Sequence, residues 1–374
     1  MICGGGLLSF IRIPKGSEPL NIVLELKNKN ECRWDAAALG EILLRFDPGD
    51  RRISNAREFL VWDGGAEYNV AANLSRVFDE RCVILTALAD NALGRLAVDL
   101  ARQAAVDTSQ IIWREYDGIG NTTRNALYFI ERGQGVRGPS SAFDRGNTAV
   151  SQLGAGDLPL AEVFADGGVR WFHTGGVFTG LSATTPEAAI EALSAANAGG
   201  SAVSYDLNYR DSLWANRGGK EAANAVNRIL LPFADVVFGT FGFDSALSRY
   251  DEAVFRSAAE AMLAEFPKLK MVVSTLRETH SASRHDIGGV CLVNGKVYRA
   301  ADVRDIEVID RVGSGDAFAS AFIYAALEGA DPQTAIDMAA AHGALAMTTP
   351  GDGSMATAAE VAALAKGGHA GVKR

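Results

Sequence analysis

The stretch Asp310-Arg-Val-Gly-Ser-Gly-Asp316-Ala-Phe-Ala-Ser-Ala-Phe-Ile-Tyr-Ala-Ala-Leu327 decides how this chain reads. After Asp316 it is an unbroken run of apolar and small residues, suited to a helix that packs closely against its neighbours. Gly313, Ser314 and Gly315 stand just before that run, where a helix leaves its first backbone N–H groups unpaired. Glycines let a ligand approach those groups, and the helix N-terminus favours negative charge, so the pattern suits a phosphoryl group. Asp316, in the first turn, can then take the proton from an attacking hydroxyl. The plainer alternative is a capped helix whose aspartate only satisfies the N-terminus.

Working outward, apolar runs alternate with alanine-rich stretches from Ala38 onward. Glu41–Phe46, Cys82–Ala87, Trp171–His173, Ala202–Asp206, Val236–Phe238, Met271–Ser274 and Val290–Val293 read as strands. Tyr68–Val77, Gly94–Ala104, Pro186–Ala196, Lys220–Leu230, Val254–Glu265 and Asp316–Leu327 read as helices. This alternation predicts an α/β fold, a mostly parallel sheet covered on both faces. Ile111–Trp113, Thr122–Ile130 and Ser141–Asp144 lack intervening helices and predict an antiparallel flap, a lid on the α/β domain. Two other glycine clusters are loops. Gly154-Ala-Gly-Asp157 runs into Leu-Pro-Leu, and Gly133-Gln-Gly-Val-Arg-Gly138 runs into Pro139 where a dinucleotide-binding helix should open.

The 374 residues suffice for a large core, and the net charge of −9 argues against nucleic acid or an anionic membrane as a main partner. The four cysteines form no close pairs and the five histidines show no ligand spacing, as suits a reducing cytoplasm without a protein-ligated metal. No apolar stretch is long enough to span a membrane. Residues 1–37 carry a charged run, Glu25 to Arg33, without a sustained period. They read as an extension whose removal should change neither melting temperature nor activity. The working domain is placed at 38–366, with the lid drawn from about 41–67 and 110–148, and 367–374 as a tail.

Asp310–Phe318 resembles the C-terminal signature of the PfkB, or ribokinase-like, carbohydrate kinases. Gly64-Gly-Ala-Glu-Tyr-Asn-Val-Ala-Ala-Asn-Leu74 resembles their N-terminal one. Within that family, Gly40-Glu-Ile-Leu-Leu-Arg45, Asp144-Arg145 and Tyr205-Asp-Leu-Asn-Tyr-Arg-Asp-Ser-Leu-Trp214 look like 2-keto-3-deoxygluconate kinases. The resemblance implies a three-layer fold with a small β lid, a homodimer formed through that lid, and ATP-dependent phosphorylation of a primary hydroxyl on a sugar or sugar acid. It assigns Asp316 as base and Gly313–Gly315 as anion hole. Gly64, Gly65, Asn69, Tyr128, Arg145 and Arg210 fall on the substrate, and Thr275, His342 and Gly351 on the nucleotide. Mg²⁺ would travel with ATP, and Asp310 would serve a monovalent-cation site, as for K⁺. Arginine forks suit a carboxylate, which agrees with an acidic sugar.

The sequence departs from the family pattern at three places. Thr240 and Gly242-Phe243 stand where Asn-x-x-Glu is usual, Asp244 comes one position late, and Arg311 and Arg277 replace Thr and Gly. With no Asn or Glu to hold the waters of a hydrated Mg²⁺, a raised Mg²⁺ requirement is predicted. They also leave a rival reading, a sugar-binding protein that is weakly active or not catalytic.

Overall fold

A computed structural model describes residues 24–165 and 167–368. Its strands are β1 (Trp34–Leu39), β2 (Leu43–Asp47), β3 (Leu60–Gly64), β4 (Cys82–Ala89), β5 (Val106–Asp107), β6 (Ile111–Arg114), β7 (Ala126–Glu131), β8 (Ser140–Asp144), β9 (Val169–Gly175), β10 (Ala202–Asp206), β11 (Val236–Phe238), β12 (Met271–Ser281), β13 (Arg284–Val293), β14 (Lys296–Arg299) and β15 (Val303–Glu307). The helices are α1 (Ala66–Phe78), α2 (Ala92–Gln103), α3 (Leu160–Phe164), α4 (Gly176–Thr179), α5 (Thr185–Ala198), α6 (Asp211–Trp214), α7 (Gly219–Leu230), α8 (Glu252–Glu265), α9 (Ser314–Leu327), α10 (Pro332–Ala346) and α11 (Ala358–Ala365).

The central sheet runs β14-β13-β12-β11-β10-β9-β1-β4-β5, with β15 on β13 and β6 on β4. It is parallel from β5 to β12 and antiparallel beyond. The inner strands β1, β4 and β9 to β13 send residues into two cores. In β1, Ala36 and Ala38 face the layer of α1, α2, α9, α10 and α11, whereas Trp34, Ala37 and Leu39 face α3, α5, α7 and α8. That two-sided burial is what a parallel sheet between helix layers requires.

A second, four-stranded sheet, ordered β3-β2-β7-β8, forms the lid. Its outer pairs are antiparallel, and β2 and β7 run parallel. Leu43, Ala126, Tyr128 and Ile130 on its underside pack with Val312, which seats the lid over the loop that opens α9.

Two boundaries are corrected. The domain does not begin at Ala38, because residues 34–39 are a central strand between β4 and β9. Asp35 made that segment look unlike a strand, yet it is fully buried. Burial, the largest single influence, would raise its carboxyl, but the bonds from Arg81, two of them at 2.9 and 3.0 Å, together with Glu80 and Lys29 hold it down to about 2. Leu24 and Leu26 also pack on the core, and Lys29 bonds Glu80 at 2.8 Å. Of the supposed extension, residues 1–23 lie outside the described residues, as do residues 369–374 of the tail. Ile111–Trp113 is not lid either. It pairs with β4 at the edge of the main sheet, so the second lid segment begins after it.

Candidate active site

The lid, the ends of β10 to β12 and the start of α9 enclose a cleft of about 1100 Å³. It lies outside the carboxyl ends of parallel strands, where open α/β sheets bind ligands. Gly313 precedes α9 with φ 77°, and a Cβ there would collide with the Asp352 carbonyl, so glycine is required. At Gly315 a Cβ would meet nothing within 4 Å, so the space before the helix amides is open cleft. Behind the helix, Gly343 of α10 lies against the Ser314 carbonyl and Phe318, and this close packing fixes the first turn.

Asp316 points into the cleft and accepts a 2.7 Å hydrogen bond from Asn69 Nδ2. Burial pushes its carboxyl up to about 7, against the pull of Asn69; Asp206 adds to the rise, and Arg210 and Arg277 oppose it. Asp206, at the end of β10, is itself pushed up to about 6 by burial. Asn69 reaches Asp316 because Gly65, at φ 137°, turns the chain from β3 into α1 where any Cβ would strike the Glu41 carbonyl. Gly64 makes similar room for the Asp352 carboxylate. The two glycine signatures thus meet at one point, although 247 positions separate Asn69 from Asp316.

Across the cleft, Tyr128 stacks on Phe143 at 4.4 Å between centroids, and the Arg145 guanidinium lies 4.5 Å above that ring. Arg145 Nη1 also bonds Glu41 at 3.2 Å, and Arg210 and Thr275 complete the wall. Asn69 Oδ1 and Glu41 Oε1 are sealed from water without partners among the described residues, acceptors free for a ligand's hydroxyls.

Three expected assignments are corrected. His342 is fully buried in α10, its Nδ1 3.2 Å from Ser320 Oγ and its ring edge-on to Phe78, so it packs two helices together and cannot border a nucleotide. Gly351 does not line the cleft; it turns beneath Trp62. The Asp310 carboxylate does not suit a monovalent cation, because the buried Arg45 guanidinium already pairs with it, with Asp352 at 2.6 Å and with Asp47 at 3.2 Å. Asp244 does not stand in for the missing Glu, since its carboxylate binds Arg249 at 2.7 Å. Glu41, Asp206 and Asp352 were not foreseen as site residues. The first two stood inside quoted motifs, where they carried no spacing of their own.

This cleft and its helix define a small-molecule phosphotransferase of the sugar-kinase kind. A profile described as pfkB family carbohydrate kinase matches residues 35–359, and the chain belongs to that family. It is 30% identical over 341 residues to a 2-dehydro-3-deoxygalactonokinase of Haloferax volcanii, covering 91% of this chain and 99% of that one. A 2-dehydro-3-deoxygluconokinase of Thermoproteus tenax is 26% identical, covering 91% and 94%. The solved 2-dehydro-3-deoxygluconokinase of Thermotoga maritima superposes with TM-score 0.79 at 32% identity, over 88% of this chain and 99% of its own.

Proposed function

We propose that the enzyme phosphorylates the terminal primary hydroxyl of a six-carbon 2-dehydro-3-deoxy sugar acid, the gluconate or galactonate epimer, with ATP. The carrying observation is the buried Asn69–Asp316 pair at the glycine-opened start of α9, facing Arg145 and Arg210 across one cleft. ATP with Mg²⁺ would supply the phosphoryl group. Mg²⁺ would be carried mainly by the nucleotide's phosphates.

Asn69 orients the Asp316 carboxylate toward the acceptor hydroxyl. As the hydroxyl oxygen bonds to the terminal phosphorus, its proton passes to Asp316, and the bond from that phosphorus to the bridging oxygen of the leaving ADP breaks. The free amides at Gly313–Gly315 meet the charge that develops on the transferring oxygens. Arg145 and Arg210 recognise the acid's carboxylate, while Gly65 and Tyr128 shape the pocket for its chain, and Gly64, which does not line the cleft, makes room for Asp352 behind it. The lid pairs with a second copy in solution. Its edge strand β8 is exposed along its length, and sedimentation tests this. A cytoplasmic setting fits such a substrate.

The test is replacement of the arginines. Arg145→Ala or Arg210→Ala should raise KM for the acid at least ten-fold and leave a neutral analogue within about two-fold, since a fork lost from a carboxylate removes a charge-assisted bond. Equal small effects on both would leave a kinase of neutral sugars.

A further inference from the structure

Beyond the sugar acid's arginines, the cleft holds two that no family signature calls for. Arg277 extends from β12 and donates from Nη2 to Ser314 Oγ at 2.5 Å, touching the first residue of α9. Its Nε is sealed from water without a partner among the described residues. Arg311 stands two positions before Gly313, exposed and lining the same cleft. Among the described residues, Arg277, Arg311 and Arg210 have no carboxylate within the 4.0 Å of an ion pair. They act on one another instead. Burial, then Arg311 and Arg210, push the Arg277 guanidinium down to about 10.

A group of unpaired guanidiniums at a helix N-terminus is an unfavourable arrangement in the empty protein, and an anion of several charges relieves it. Asp316, the carboxylate whose charge acts on Arg277, is a single charge and lies on the acceptor side. The other carboxylate of this wall, Asp244, is spent on Arg249. Thr240, in place of Asn, turns its hydroxyl to Ser274 Oγ at 2.8 Å. The wall that lacks the usual carboxylate therefore carries two added positive charges.

We infer that Arg277 and Arg311 form a phosphate clamp, binding the terminal phosphates of the donor beside the anion hole as catalytic residues. This rests on the kinase reading above. Arg277, braced by Ser314, holds the transferring phosphoryl group in line with the acceptor hydroxyl; Arg311 meets the charge left on the departing diphosphate. The bonds made and broken and the path of the proton are those already given; the clamp adds charge stabilisation only. On this assignment the guanidiniums compensate phosphate charge in place of the lost Asn and Glu. The raised Mg²⁺ requirement that those losses imply then does not follow.

The test separates binding from turnover. ATP and AMP are titrated calorimetrically into the full chain in EDTA, without sugar. Arg277→Met should weaken ATP roughly 10–100-fold, the worth of a charge-assisted bond, and AMP less than two-fold. Arg311→Ala, an exposed change that cannot endanger folding, should weaken ATP in the same direction by a smaller factor. With Mg²⁺ and sugar acid, Arg277→Met should lower kcat about 10²–10³-fold with little change in the acid's KM, as for other lost oxyanion donors. ATP affinity unchanged in both variants overturns the clamp, as does equal weakening of AMP. So does unaltered ATP binding with a weakened sugar acid, which would give Arg277 to the acceptor's carboxylate. If the natural chain binds no ATP with or without Mg²⁺, the kinase reading falls as well.

Discussion

Arg45 and Arg277 both approach the loop that opens α9, one from the lid and the other from the sheet, and their surroundings are opposite. Arg45 is fully buried among Asp47, Asp310 and Asp352, which hold its guanidinium firmly charged, and its partners tie β2 to the turns on either side of the anion hole. Arg277 has a serine and two other arginines for company. A guanidinium with its carboxylates in place belongs to the framework, because removing either side leaves a buried charge alone. A guanidinium without them is held ready for a ligand and weakens the protein until the ligand arrives. The distinction separates Arg45, which builds this cleft, from Arg277, which uses it.

The largest expected effect falls on the framework side. Removing residues 1–37 deletes four of the six residues of β1 from the middle of the sheet and strips Asp35 from Arg81 and Arg170. No cooperatively folding protein should remain, as circular dichroism melting would show. A folded, active truncation would return this segment to the status of an extension. Arg45→Met comes next. It leaves three carboxylates sharing a dry site, and breaking such a buried pairing costs about 3–5 kcal/mol by denaturant titration. Arg311→Ala should leave stability unchanged or slightly raised under the same titration. If the two variants lose equal stability, the contrast between paired and unpaired guanidiniums collapses.

How much of this could be read from the residues depends on the range of the interactions. The α9 loop and the Gly64-Gly65 turn were legible because their glycines answer a local backbone demand: left-handed φ, or carbonyls too close for a Cβ. β1 was not legible. Its alanines and Asp35 have no strand character alone, and its place depends on Arg81, 46 positions away, and Arg170, 135 away. Arg45 stood in a quoted motif, but its partners Asp310 and Asp352 lie 265 and 307 positions later. His342 was assigned by the family resemblance alone; in the fold it sits within Met338–Ala344, a run of α10 that is buried throughout.

A smaller effect sharpens the comparison from the acidic side. Asp316 is a buried carboxyl pushed up to about 7, so ionising it costs the folded state. Between the ordinary carboxylate value and about 7 the folded protein holds this proton more tightly than the unfolded chain does. The stability linked to it is therefore present at low pH and lost as pH rises through about 7. Asp316→Asn should raise the melting temperature by a few degrees at pH 8 and scarcely change it at pH 4. In the natural enzyme kcat should climb with pH through the same range as the base loses its proton. A variant no more stable at pH 8 than the natural chain would mean that Asp316 is ionised at little cost.

The central claim, that a base at the start of α9 transfers a phosphoryl group to a sugar acid, is tested most directly by ADP release. The natural chain and Asp316→Asn are assayed with ATP and Mg²⁺ against 2-dehydro-3-deoxygluconate, 2-dehydro-3-deoxygalactonate and neutral hexoses. The account predicts turnover of one or both acids in preference to the neutral sugars, and a fall of about 10²–10⁴-fold in kcat in the variant with acid binding retained. Binding of an acid without ADP release by the natural chain, or turnover untouched by loss of the carboxylate, would contradict it.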